Sequence, residues 1–539
     1  MGVKAIFNDQ FYQYTILINM HKNMSEKPKK YLYAAAVQGI QDFIFETNKL
    51  QEIAGASELV EQICTKEFKK AFDNAKGNYN EQKLLIGAAG NIKYLFDENE
   101  EKVCEQIFRD FPFQVAKLAP GITISQTVVK ISEDEHINSR HIDKAEKNLK
   151  IQRNLPTSPS LMGLMIAKRT PKTGKPVVDN VEGEFIDAAS QAKISRFNPS
   201  TISLFKNIVH DNLKDILSFN KGQKMTNDDN SWLAVIHADG NDLGKLIPTF
   251  FNDTIKGDDF VRLQKQLSFL LDSCTKEAVK SAIEKVLGDK KLRNTLDLFK
   301  NKLIVPIRPI VCGGDDLTII IQAPLALEFT KVFLEEFTRV TKDKFVCWAK
   351  EVGTDKLKHG LTACAGIAFV KEKYPFHYAV DLAGELCSHA KKEAQKIKIA
   401  NNQDITPACL SFYKIESAFV RDYTEIQKHE LTSKTVVNLS ACPYYIKESP
   451  NLVSSLEDKV PMVSSLENRL SAVKKYPAIT SRLRQVLSML HTENDLEPIK
   501  MERKRIEQLN PIGFKEIGIT EHNLSQLHDL LSLNSITNK

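Results

Sequence analysis

One order of apolar runs and tight turns occurs twice along this chain, and that repetition narrows the possible folds more than any single motif. In the second half, a strand is expected over Trp232 to Ala238, leading into Asp239-Gly240-Asn241-Asp242. Helices follow, then a strand ending at Cys312, the turn Gly313-Gly314-Asp315-Asp316 and a strand over Leu317 to Gln322. A helix, a strand over Thr362 to Val370 and a helix through Lys391 complete the unit. The first half offers the same series. It runs from a strand over Tyr31 to Val37 and a turn at Gln38-Gly39 through a helix reaching Glu61 to a strand over Leu84 to Ile86. The turn Ala88-Ala89-Gly90-Asn91, a strand over Ile92 to Phe96, a helix, a strand over Ile122 to Lys130 and another helix finish it. Each half reads as β-α-β-β-α-β, the ferredoxin-like plan, so the expected class is α+β.

The domains expected from this pattern are 30–160, a connecting region 161–229, 230–420, and a helical C-terminal domain 421–539. Thr170 to Lys175 and Lys221 to Asn230 combine Gly or Pro with charge, as surface connections do. From Ser464 onward, Leu, Lys, Arg and Glu recur at helical spacing. With 539 residues, 42% of them hydrophobic, the chain can bury more than one core. Lys plus Arg number 74 against 68 acidic residues, an excess that permits phosphate-bearing ligands without demanding nucleic acid. The basic stretch from Lys144 to Lys175 is a candidate RNA or DNA contact, although such runs are ordinarily solvent-facing. No apolar run nears the ~20 residues of a membrane span. The N-terminus lacks a secretory pattern, and Ile6 stands where a myristoylation signal carries a hydroxyl. A soluble, cytoplasmic protein without a membrane partner is expected. None of the nine cysteines forms a CxxC pair, so neither a disulfide scaffold nor zinc is expected.

Superposing the two series sets Gln38 opposite Asp239, and Gly90 and Asn91 opposite Asp315 and Asp316. Every acidic position of the second copy is neutral in the first. A hairpin carrying two carboxylates beside a strand ending in a third can hold two Mg²⁺ or Mn²⁺ ions roughly 3.5–4 Å apart. Like charges so close call for cations between them. Gly313 and Gly314 suit a tight turn that a phosphate can approach, and Gly240 can add its carbonyl to a metal shell. Asp315 and Asp316 in a lone hairpin would ordinarily be solvated turn residues; Asp239 and the repeat argue otherwise.

These residues resemble a known family. RPIVCGGDDLTIII, the upstream ADGNDLGKLI and the downstream TACAGIAFVKEKYPFHYAVDLAGELCSHAKK are similar to the palm polymerase/cyclase of the large subunit of type III CRISPR effector complexes. AVQGIQDFIFETNKLQEIAGASELV and LIGAAGNIKYLF resemble the opening and the degenerate hairpin of that family's first palm. The resemblance implies two palms packed face to face that make cyclic or linear oligonucleotide messengers from ATP for antiviral defence. Asp239, Asp315 and Asp316 would be catalytic and metal-binding, with the Gly240 carbonyl as a further ligand. Gly313, Gly314 and Lys391, which matches a triphosphate-contacting lysine, would bind nucleotide. Gln38, Gly39, Gly90 and Asn91 would hold the acceptor nucleotide without a chemical role. Lys391 precedes Lys392, and such pairs are commonly a solvated helix face.

The chain also departs from the family pattern. Only about 30 residues precede the first strand, leaving no room for the histidine-aspartate nuclease domain the family often carries, and His210-Asp211 and His528-Asp529 are read as ordinary surface or helix residues. KRTPKTGKPVV lacks the cysteines of the usual zinc element. Asn241 replaces a frequent acid; Asp242 either compensates or, as we favour, caps the next helix. Two other functions fit the sequence. One is a scaffold subunit of a ribonucleoprotein that binds guide and target RNA and CRISPR-type protein subunits, with a messenger-binding effector downstream. The other is a diguanylate-cyclase-like enzyme, which two palms in one chain and Leu317-Thr318 after GGDD disfavour.

Overall fold

The computed structural model describes residues 28–537 except 155–166, 182, 198–216, 219–224, 227–230, 252–254, 295, 297, 300–301, 417–421, 435–437, 448–459, 519–523 and 525. His210-Asp211, most of Lys221 to Asn230 and part of Lys144 to Lys175 lie outside the described residues. The chain forms two compact units. One comprises 1–43, 59–196 and 248–268; the other comprises 44–58, 197–247 and 269–539.

The first unit holds a sheet of β1 (Pro28–Gln38), β2 (Leu84–Ala88), β3 (Asn91–Asp97) and β4 (Thr123–Ser132). Their spatial order is β2-β3-β1-β4, and every neighbouring pair is antiparallel. Residues Tyr31 to Val37 of β1 are all buried, as a central strand covered on both faces requires. Phe68, Phe72, Tyr94, Phe96 and Phe111 pack with Tyr33 as an aromatic core, with the Phe72 and Phe96 rings stacked at 5.5 Å. Along the chain after β1, where residues 44–58 belong to the other unit, the expected single helix up to Glu61 is instead two, Ile40–Phe45 and Leu50–Gln62. Between them the Thr47 hydroxyl accepts the Lys49 amide, a local side-chain bond that competes with helix continuation. The helices Glu101–Leu118 and Ser139–Arg153 complete the series.

The second unit repeats this connectivity and extends it. Its main strands are β5 (Trp232–Gly240), β6 (Ile307–Gly313), β7 (Asp316–Gln322), β8 (Ala363–Lys371), β9 (Cys409–Lys414) and β10 (Tyr444–Tyr445), in the order β6-β7-β5-β8-β9-β10. The first four strands form the same antiparallel arrangement as in the first unit. β9 joins β8 in parallel, a pairing absent from the sequence reading. Helix α1 (Ala323–Val352) links β7 to β8 and ends on Gly353 at φ 74°, a left-handed C-cap that glycine adopts without penalty. Helix α2 (Phe376–Ala400) packs on β8 through Ala379, Ala383, Leu386, Cys387 and Ala390, all buried.

Among the described residues, five further helices lie between Val463 and Thr537, starting one residue before the helical periodicity expected from Ser464. Leu483, Leu490, Ile506 and Ile517 are fully buried in their common core. Asp529 of the last helix is 2% exposed and accepts the Ala441 amide at 2.8 Å and the Tyr444 hydroxyl at 2.7 Å. Asp529 is therefore a buried structural tie in a helix.

Candidate active site

The acidic residues gather at one end of the second sheet because β5 and the β6–β7 hairpin finish there together. Leu317 lies opposite Ala238, so one register step further Asp316 falls opposite Asp239. Gly313 pairs with Asp316, leaving Gly314-Asp315 as a two-residue loop, and Gly314 takes φ 63° as such loops demand. The Thr275 hydroxyl donates to the Gly314 carbonyl and pins the turn. Gly240 allows the hairpin its approach: a Cβ there would lie 2.9 Å from the Asp315 Cβ and 2.5 Å from the Leu243 Cδ1.

Burial first, then the Asp239 charge and a hydrogen bond with that carboxylate, push the Asp315 carboxyl up to about 6. Burial and the Asp239 charge likewise push Asp316 up to about 7, against an opposing pull from Lys391. The Asp316 side chain is 42% exposed, yet its Oδ1 is fully buried and has no hydrogen-bond partner. A buried carboxylate oxygen without a donor is costly, and a cation would remove that cost. His237 Nδ1 lies 3.6 Å from this oxygen and 3.2 Å from the Thr318 hydroxyl, and burial lowers the imidazole pKa.

Lys391, in the fifth turn of α2, reaches this cluster. Its ammonium donates to Asp239 Oδ2 at 2.5 Å and to the Gly240 carbonyl at 2.8 Å. Lys391 is thus turned into the site, whereas Lys392 is exposed. Among the described residues, no three His, Cys, Asp or Glu side chains are gathered as a ready metal cage. The donor set nonetheless suits Mg²⁺ or Mn²⁺, with oxygen ligands only, two carboxyls held close and one orphaned buried oxygen.

Asp242 stands apart. Its backbone carbonyl accepts the Lys245 and Leu246 amides and so begins the helix Leu243–Phe250. Its carboxylate turns away to Lys398 at 2.8 Å and Thr406 at 2.6 Å. The expected side-chain cap is therefore corrected to a backbone one, and the residue is no substitute for an acid at Asn241. Asn241 itself is buried and donates to the Thr362 hydroxyl at 3.0 Å. Lys398 is not among the residues expected from the sequence, although it follows Lys391 by seven residues, two helical turns along the same face.

In the first unit the Val37 amide donates to the Gly90 carbonyl at 2.8 Å, which brings the Gln38-Gly39 and Gly90-Asn91 turns to one end of the sheet. Asn91 lies opposite Ala36, so Ala36, and not Gln38, stands where Asp239 stands in the second unit. β1 runs two residues past this point before turning, which is why alignment on the turn misplaced Gln38. Gln38 donates to the Ala36 carbonyl at 3.2 Å, and the exposed Asn91 donates to the Ala89 carbonyl at 3.2 Å. Gly39 and Gly90 have φ of 61° and 78°.

Residues 232–400 match the family model of the second palm domain of Cas10/Cmr2. Over this segment the chain is Cas10-like. The match encloses both acidic turns, Lys391 and Lys398. No curated protein matches the chain. Solved structures of a Csm1-Csm4 cassette align with it at 14% identity. The complex with cA3 has a TM-score of 0.49 and covers 96% of this chain and 71% of that one. The complex with AMPPNP has a TM-score of 0.47, with coverages of 95% and 70%. Among the described residues, no helix is long and apolar enough to cross a membrane.

Proposed function

We propose that residues 232–400 are the catalytic palm of a nucleotidyltransferase that joins nucleoside triphosphates, ATP by resemblance, into cyclic or linear oligonucleotide messengers for antiviral defence. The observation that carries this reading is the register that sets Asp316 opposite Asp239 beside the Asp315 turn, with the buried, donorless Asp316 Oδ1, inside the segment that matches the Cas10/Cmr2 second palm. Both units are read as ferredoxin-like palms, and the first as the one without chemistry, because Ala36, Gly90 and Asn91 offer no carboxylate at the corresponding positions.

Asp239, Asp315, Asp316 and the Gly240 carbonyl would hold Mg²⁺ or Mn²⁺. Bound there, two such ions supply charge that stabilises the attacking and leaving oxygens of an in-line displacement. Forming the product joins a 3′-hydroxyl oxygen to the α-phosphorus of another nucleotide, with pyrophosphate as leaving group and the hydroxyl proton released. Asp316 would complete the metal site or lower the pKa of the attacking hydroxyl. The Lys391 ammonium is within reach of the same cluster and offsets charge that grows on the leaving pyrophosphate. Gly313 and Gly314 keep the hairpin free of side chains where phosphates approach. By the same resemblance, CRISPR-type protein subunits and RNA would be partners, with a messenger-binding effector downstream.

The test is incubation of the purified chain with each labelled nucleoside triphosphate and Mg²⁺, followed by mass spectrometry, beside Asp315→Ala/Asp316→Ala. Oligonucleotide product that disappears in the variant supports the proposal. Equal product from both proteins overturns it.

A further inference from the structure

Lys391 holds the two oxygens that the proposed function assigns to a divalent cation, Asp239 Oδ2 at 2.5 Å and the Gly240 carbonyl at 2.8 Å. An ammonium and Mg²⁺ cannot share them. Mg²⁺ needs its ligands at about 2.0–2.1 Å in a near-octahedral shell, and two cations side by side in a partly buried site repel strongly. The other nearby lysine cannot take over the lysine's role, because Lys398 is engaged by Asp242 at 2.8 Å. Lys391 also has freedom to leave. Its side chain is 22% exposed, and a lysine stem has four rotatable bonds with no directional fork to break.

We propose that Lys391 is a displaceable internal counter-ion: it and the divalent cation compete for Asp239 and the Gly240 carbonyl, and cation entry releases the ammonium to a phosphate-bearing ligand. The proposal rests on the metal-binding reading of the proposed function and adds a coupling to it. A metal ion entering alone must strip Lys391 of its anion and leave the ammonium unpaired beside new positive charge. Entering with a nucleotide, it gives Lys391 a triphosphate in exchange. By linkage, metal and nucleotide then strengthen each other's binding, and the lysine carries that cooperativity.

The test is calorimetric titration of the nucleotide-free full chain with Mn²⁺ alone, comparing the natural protein with Lys391→Met, Lys391→Arg and Asp239→Asn. Lys391→Met keeps much of the apolar stem and removes the charge. It is expected to bind Mn²⁺ roughly threefold to tenfold more tightly than the natural chain. Lys391→Arg keeps the charge and is expected to stay near the natural affinity, which separates charge from packing. Asp239→Asn is expected to bind more weakly. A substitution that merely disturbed the fold would weaken binding, so tighter binding is not a structural side effect. Equal or weaker Mn²⁺ binding by Lys391→Met, with the natural chain binding normally, overturns the counter-ion proposal and leaves the metal site standing. Absence of Mn²⁺ binding by both proteins overturns the metal site and this proposal with it.

Discussion

Gly366 of β8 lies so close to α2 that a Cβ at this position would sit 2.0 Å from the Ala383 carbonyl oxygen and 2.5 Å from the Cys387 amide nitrogen. Both are backbone atoms and cannot swing aside, so the glycine sets how near the helix bearing Lys391 approaches the sheet bearing Asp239. Gly366→Ala is expected to cost about 3 kcal/mol in urea unfolding. Gly384, next to Ala383 in that helix, would meet nothing within 4 Å. Gly384→Ala is expected to stabilise by about 0.5–1 kcal/mol through helix propensity. Equal effects at the two sites would remove close backbone approach as the explanation.

Asp315 and Asp316 give a pH dependence of defined sign. Their carboxyls are raised in the folded chain to about 6 and about 7, above the unfolded value of 3.8. The folded state therefore holds more protons than the unfolded one between these limits. Their contribution to stability is complete below about pH 4 and is lost as pH rises through 6 and 7. In chelator, the unfolding temperature is expected to fall between pH 5 and 8. Asp316→Asn is expected to raise it at pH 8 by on the order of 2 °C, and Mg²⁺ is expected to do the same for the natural chain.

Asp242 behaves in the opposite sense. Burial raises its carboxyl, but hydrogen bonds from Lys398 and Thr406 outweigh this and hold it below the usual value. Its contribution is present at neutral pH and is lost as pH falls through about 4 and below. Lys398→Met leaves a carboxylate whose side chain is only 9% exposed with Thr406 alone. A loss of about 2 kcal/mol is expected in urea unfolding at pH 7, narrowing below pH 4. A loss independent of pH would point to packing of the lysine stem.

Asp529→Ala tests whether the histidine-aspartate pair of the last helix has any part in chemistry. The variant leaves the Ala441 amide and the Tyr444 hydroxyl without their acceptor. A destabilisation of about 2 kcal/mol is expected, with oligonucleotide product per folded molecule unchanged. Loss of product at unchanged stability would assign Asp529 a functional role.

Much of the second unit could be read from local pattern. Residues 307–322 show why: apolar runs on either side of Gly313-Gly314 leave a hairpin as the favoured structure. The parallel pairing of β9 could not be read, because Cys364 and Cys409 become neighbours only after α2 has crossed over between them. The Gln38 assignment failed for a related reason. A turn can be located from its glycine, but register depends on how far the preceding strand continues, and β1 continues to Gln38 while its partner Asn91 faces Ala36.

The chain's own residue order is enough to specify two β-α-β-β-α-β series, acidic turns in only one of them and a helical C-terminal stretch, since hydrophobic period and glycine conformation act over a few residues. Packing over long separations settles the rest. Lys391 meets Asp239 across 152 positions, Asp242 turns from the carboxylates to Lys398, and the Asp316 Oδ1 is buried without a donor. Side-chain charge and burial at the end of a sheet are properties of neighbours in space, and no local window along the chain contains them.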